Sequence, residues 1–131
     1  MKNILLYLWQ LPQNLVGLLL VACYKPERKH IMDNGNIIYF STRMLGGISL
    51  GKYSLVNIGH YRLKMEDSLK RDTVRHEAIG HAQQSLYLGW FYLLVIGLQS
   101  GLHAVLCKCR THNYFDMWFE KWADKIAGVK R

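Results

Sequence analysis

Thr73-Val-Arg-His-Glu-Ala-Ile-Gly-His-Ala-Gln-Gln-Ser85 brings His76, Glu77 and His81 into the tightest cluster of metal-ligand side chains in the sequence. The two imidazoles are five residues apart. In a regular α-helix, residues at i and i+4 diverge by about 40° and can share an ion, whereas residues at i and i+5 diverge by about 140° and cannot. A His-Glu helix that binds metal through both imidazoles must therefore take up one extra residue. The spacing predicts a single π-type turn, whose i to i+5 hydrogen bond returns His76 and His81 to one face. Gly80 is the residue expected to tolerate that distortion best.

A second half-motif follows about forty residues on. Glu120-Lys-Trp-Ala-Asp124 offers a carboxylate, then Ala and an acid three and four residues later. Together, His-Glu-x-x-Gly-His and Glu-x-x-Ala-Asp resemble the zinc site of the dipeptidyl-peptidase III family, and the Glu third ligand is shared with other zincins. The resemblance implies Zn2+ held by His76, His81 and Glu120, with Glu77 as general base. A broader likeness involves Trp9 to Gly17, Gly46 to Tyr53, the motif helix with Gln84 and Ser85, Leu88-Gly-Trp90, Val95 to Leu98 and the Glu120 segment. In these the chain is similar to a small bacterial zincin-like family that has no assigned activity. Its members carry a His-Glu motif one residue shorter.

Composition sets the bounds. A chain of 131 residues is expected to form one domain, 1–131, with room for a modest core and none for a separate substrate lobe. Its net charge of +8 points to an anionic partner such as a membrane surface. The basic residues are scattered and not interleaved with aromatics, which argues against nucleic acid. Cys23, Cys107 and Cys109 make no even framework, and free thiols of this kind point to the cytoplasm.

Residues 3–24 are strongly apolar but interrupted by Gln10, Pro12, Gln13 and Asn14, which does not suit a signal peptide and makes a spanning helix, conceivable by length, costly. Two helical pieces joined at Leu11-Pro12 are expected, packed on the core or lying in a membrane interface. Asp33-Asn-Gly35 signals a turn. Ile37 to Ser41, Ile48 to Leu50 and Tyr53 to Ile58 read as strands of a small antiparallel sheet, whose edge could pair with an extended peptide. Gly46 to Lys52 has the glycine spacing of a phosphate loop, but Tyr53 stands where Ser or Thr should be, so a glycine-flanked hairpin is the better account.

Asp67 and Asp72 offer helix starts, and the motif helix is expected from Asp72 to Leu88, with Gly89 just past its end. Residues 90–107 read as a buried or membrane-contacting helix. A span there would put His76 and Glu120 on opposite sides of a bilayer. A last helix, about Tyr114 to Ala127, is expected to pack through Trp118, Trp122 and Ile126 and to present Glu120 and Asp124 one turn apart. The fold class is thus α+β: helix-rich, zincin-like, with a small sheet and apolar N-terminal helices.

In the site so assembled, His76, His81 and Glu120 are metal ligands and Glu77 takes a proton from water. Asp124 accepts a hydrogen bond from a ligand imidazole and fixes its tautomer. His103 reads as a core histidine, His30, His60 and His112 as surface groups, and Gln83, Gln84 and Ser85 receive no role. A zinc metallopeptidase acting on a peptide or protein substrate is the leading function. A metal-binding but inactive module and a membrane-associated structural protein are the competing classes.

Overall fold

The computed structural model describes residues 2–44, 46–57, 64, 67, 70–106 and 116–130. Two apolar helices open the chain, α1 (Lys2–Trp9) and α2 (Leu11–Tyr24), broken at Gln10. Pro12 sits in the first turn of α2, where its missing N–H costs no hydrogen bond, so it starts the second helix and separates it from the first. Lys25 closes α2 in the left-handed region, its N–H bonding to the Val21 carbonyl.

Four strands follow among the described residues: β1 (Arg28–Ile31), β2 (Ile37–Ser41), β3 (Gly47–Leu50) and β4 (Tyr53–Asn57). β1 was not foreseen, because Arg-Lys-His-Ile is too polar for a buried strand; it is a half-exposed edge strand. The sheet is mixed, not antiparallel. Its order is β1-β2-β4-β3, with antiparallel pairs at both margins and a parallel pair, Ile37 beside Tyr53 through Ser41 beside Asn57, at the centre. The chain crosses from β2 to the far edge and returns between, which local alternation does not encode. Gly51, at φ +63°, makes the tight β3–β4 turn, so Gly46 to Lys52 forms the glycine-flanked hairpin and not a phosphate loop.

The metal-motif segment begins as α3 (Asp72–Arg75), passes through a π-helical turn at His76–His81 and continues as α4 (Ala82–Leu88). It ends at Gly89, whose positive φ provides the stop. The following apolar stretch is not one helix. It breaks into a 3-10 turn (Gly89–Phe91), a second π-helical turn (Leu93–Gly97) and α5 (Leu98–Leu106). α6 (Trp118–Ala127) closes the fold. The expected helix start at Asp67-Ser-Leu-Lys and residues 107–115, with Cys107, Cys109 and His112, lie largely or wholly outside the described residues, as does His60.

Two apolar clusters join these layers. Ile38, Phe40 and Val56 of the sheet pack on Val74 and Ala78 of the motif segment. Leu50, Tyr92, Ile96 and Phe119 join the edge strand, the broken segment and α6. Of its apolar side chains, α6 buries Phe119, Ala123 and Ala127 most deeply; of the expected Trp118, Trp122 and Ile126, Trp122 packs half-buried on the second cluster and Ile126 is half-buried, so the packing face is turned by about one residue. Trp118 is half exposed and stacks on Trp122, which also stacks on Tyr87. Turning the small Ala face inward lets α6 approach the π-helical turn closely.

Candidate metal centre

The π-helical turn performs the rotation that the His76–His81 spacing requires. The two rings meet edge to face, with centroids 4.6 Å apart. One consequence of the wider turn is that carbonyls lose their regular partners, and Asn34 answers this from the β1–β2 turn by donating to the Ala78 carbonyl at 3.0 Å. Gly80 is not in the left-handed region that favours glycine. Its role is space: a Cβ there would stand 2.5 Å from the Ala123 carbonyl oxygen, so only glycine lets α6 lie this close.

That close approach delivers Glu120 and Asp124, one turn apart, onto His76. Glu120 Oε2 is 2.9 Å from His76 Nε2, and Asp124 Oδ1 is 2.6 Å from His76 Nδ1, so the ring is held at both nitrogens. Glu120 Oε1 reaches His81 Nε2 at 3.3 Å. Donor atoms of His76, Glu77 and His81 also lie within 4.8 Å of one another. His76, Glu77, His81 and Glu120 are buried, and Asp124 is half-buried. In a tetrahedral site with bonds near 2.0–2.2 Å, neighbouring donors stand about 3.3 Å apart, so this constellation has the dimensions to hold a metal ion. Both Glu77 and Glu120 are near enough to contribute.

Gln84 is a part of the site that sequence reasoning left without a role. Its Oε1 sits 2.7 Å from His81 Nδ1, and its amide nitrogen donates to the Phe119 carbonyl at 2.7 Å. The pair of bonds fixes the second imidazole much as Asp124 fixes the first. The available signal was the i, i+3 spacing from His81, which places both on one face. His103 is half-buried on α5 and His30 half-buried on β1, neither of them at the centre.

Three carboxylates around two imidazoles concentrate negative charge in a buried place. Burial by itself raises the Glu120 carboxyl, but hydrogen bonds from His76 and His81 reverse this and hold it at about 2. Burial likewise pulls His81 down, while its bond to Glu120, the charges of Glu77 and Glu120, and Gln84 push it up to about 9. A divalent cation bound here would offset that negative charge in place of the His81 proton.

A cleft of about 850 Å3 opens onto these residues. Edge strand β3 lines one wall, Tyr92, Ile96, Gly97, Ser100 and Gly101 line the other, and His76, Glu77, His81 and Glu120 lie between them. Gly47 touches the site directly, since a Cβ there would stand 2.6 Å from Glu77 Cγ and Oε1. Compared with known proteins, the chain matches no family model, no curated protein and no solved structure, so its geometry alone carries the functional reading.

Proposed function

We infer that this chain is a zinc-dependent peptidase, with His76, His81 and Glu120 as ligands and Glu77 as general base. The observation that carries the reading is the π-helical turn that brings both imidazoles onto one carboxylate of α6, with Asp124 and Gln84 fixing their outer nitrogens. Two nitrogens and one carboxylate oxygen are the donor set of catalytic rather than structural zinc, which leaves a position open. Bound Zn2+ supplies an acidified water and polarises a carbonyl. Glu77, buried at the floor of the cleft, accepts the proton of the attacking water and returns it to the leaving amine. β3 is the sheet edge along the cleft, and an extended peptide laid beside it would gain main-chain hydrogen bonds.

Glu77→Gln tests this. The amide keeps the shape but cannot take the proton, so zinc content and melting temperature should stay at wild-type values while hydrolysis of a fluorogenic protein substrate disappears. Loss of zinc from the variant would defeat the reading. Glu77 and His81, at i and i+4, would then be the ligands.

A further inference from the structure

A helix on the surface of a water-soluble domain turns its apolar stripe inward and its polar residues outward. The α1–α2 arm does the reverse. Gln10, Gln13 and Asn14 are at most 1 % exposed, whereas Ile4, Leu5, Leu15 and Leu19 are 57–66 % exposed. The second arm, Tyr87 to Leu106, repeats the inversion in part: Phe91, Leu94, Val105 and Leu106 are 61–73 % exposed and Gln99, Ser100 and His103 are half-buried, while Tyr92 and Ile96 stay in the core. No Asp, Glu, Lys or Arg occurs in 3–24 or 82–107.

The chain bends by 85° between Asn3–Trp9 and Leu11–Tyr24 and by 108° between Asp72–Phe91 and Leu93–His103, and the two elbows exchange hydrogen bonds. Trp9 Nε1 donates to the Leu86 carbonyl at 2.9 Å, and Trp90 Nε1 to the Leu8 carbonyl at 2.8 Å. Gln10 and Gln13 donate to Ser85 Oγ, and Gln13 also to the Gly89 carbonyl. Apart from Gln13 Oε1, which has no partner among the described residues, polar groups paired inside and hydrocarbon outside is the arrangement a lipid environment demands.

Length decides how deep such arms can go. At 1.5 Å per residue, α2 is about 21 Å long and α5 about 14 Å, against a hydrocarbon core of about 30 Å, so neither crosses upright. The second arm is barred from crossing on separate grounds. His76 precedes it, Glu120 follows it, and the two are 2.9 Å apart, which puts both ends on one side.

We propose that the two apolar arms lie in one leaflet of an anionic lipid bilayer, entering and leaving on the same side. Charge selects lipid over a second copy of the chain: two copies at +8 repel, whereas Lys25, Arg28 and Lys29 directly after α2 meet anionic headgroups. The partly exposed rings of Trp9, Tyr87 and Trp90 suit the interface. Because Tyr92, Ile96, Gly97 and Ser100 belong to the second arm and also line the cleft, the cleft borders the bilayer surface. Peptide segments next to the membrane are therefore its substrates. That last consequence rests on the peptidase reading; the bilayer contact does not.

The test is flotation of the full chain, purified in detergent, with phosphatidylcholine vesicles containing or lacking phosphatidylglycerol. The protein should float with the anionic vesicles, resist alkaline carbonate, and have its tryptophan emission quenched by lipids brominated in the acyl chain. Leu94→Glu with Leu98→Glu should lower binding by about tenfold or more with zinc content unchanged, because charge is expelled from hydrocarbon. Lys25→Glu with Lys29→Glu should remove the anionic preference. The proposal is overturned if the detergent-free protein stays in solution as a monomer, if a dimer buries the arms without lipid, or if protease reaches the chain from both faces of sealed vesicles. Glu77→Gln should float like wild type, so failure of the peptidase reading leaves this result untouched.

Discussion

Gly80→Ala tests the close approach on which the centre depends. Replacing glycine by alanine inside a helix ordinarily stabilises by about 0.5–1 kcal/mol, through backbone entropy. Here the added Cβ meets the Ala123 carbonyl oxygen at 2.5 Å, its carbon at 2.9 Å and its Cα at 3.0 Å, all backbone atoms that no side-chain rotation can move. Restoring an ordinary carbon–oxygen contact of about 3.3 Å requires α6 to withdraw by about 0.8 Å. Overpacking of this kind costs about 1–3 kcal/mol, so the net effect is a loss of about 1–2 kcal/mol, or about 4–8 °C in melting temperature for a chain of this size. Glu120 lies one turn before Ala123 on the same helix and moves with it. Metal bonds hold to about ±0.2 Å, so the displacement should weaken zinc binding by about 10–100-fold. Thermal melts in chelator isolate the packing term, and competition with a chromophoric chelator gives the affinity. Adding Ala123→Gly should not rescue either quantity, because the clash is with main chain. A Gly80→Ala protein that melts higher than wild type and binds zinc equally well would refute the reasoning.

Gly47→Ala pushes on the Glu77 side chain, which can give, so the fold should survive with zinc retained. A displacement of about 1 Å in a catalytic group costs up to about a hundredfold, and kcat should fall accordingly; unchanged turnover would free Glu77 of the base role. Asp124→Asn removes the charge behind His76 and should weaken zinc binding by about 10–100-fold, measured by the same competition assay; an unaltered affinity would mean that Asp124 does not orient the ring. Metal uptake must displace the His81 proton, so affinity should rise about tenfold per pH unit from 7 and flatten above about 9, with calorimetry in buffers of different ionisation enthalpy reporting the released proton; binding without proton release contradicts this. In chelator, the raised His81 contributes stability that is complete below 6.5 and lost as pH rises through about 9. The lowered Glu120 contributes stability that is complete above 4.5 and lost as pH falls through about 2. The melting temperature of the chelated protein should therefore peak between 4.5 and 6.5.

The π-helical turn was legible in the sequence because helix geometry is local: two imidazoles five positions apart on one helix have no regular way to come together. The same holds for the break before Pro12, the stop at Gly89 and the strands β2, β3 and β4, each set by a few neighbouring residues. The α+β class and the meeting of Glu120 and Asp124 with His76 could be anticipated from paired motifs. What only tertiary structure decided concerns which elements meet. The central parallel pairing of β2 with β4 depends on where the chain crosses, and alternation of side chains is the same for either direction. The inward face of α6 was set by the gap at Gly80, not by its tryptophans. Gln84 acquires its role because Phe119 arrives to receive its amide. The inversion of the two arms is of the same kind. Gln10 and Gln13 look like interruptions in an apolar run until Ser85 and Gly89, more than seventy residues away, accept their hydrogen bonds and leave the leucines outside.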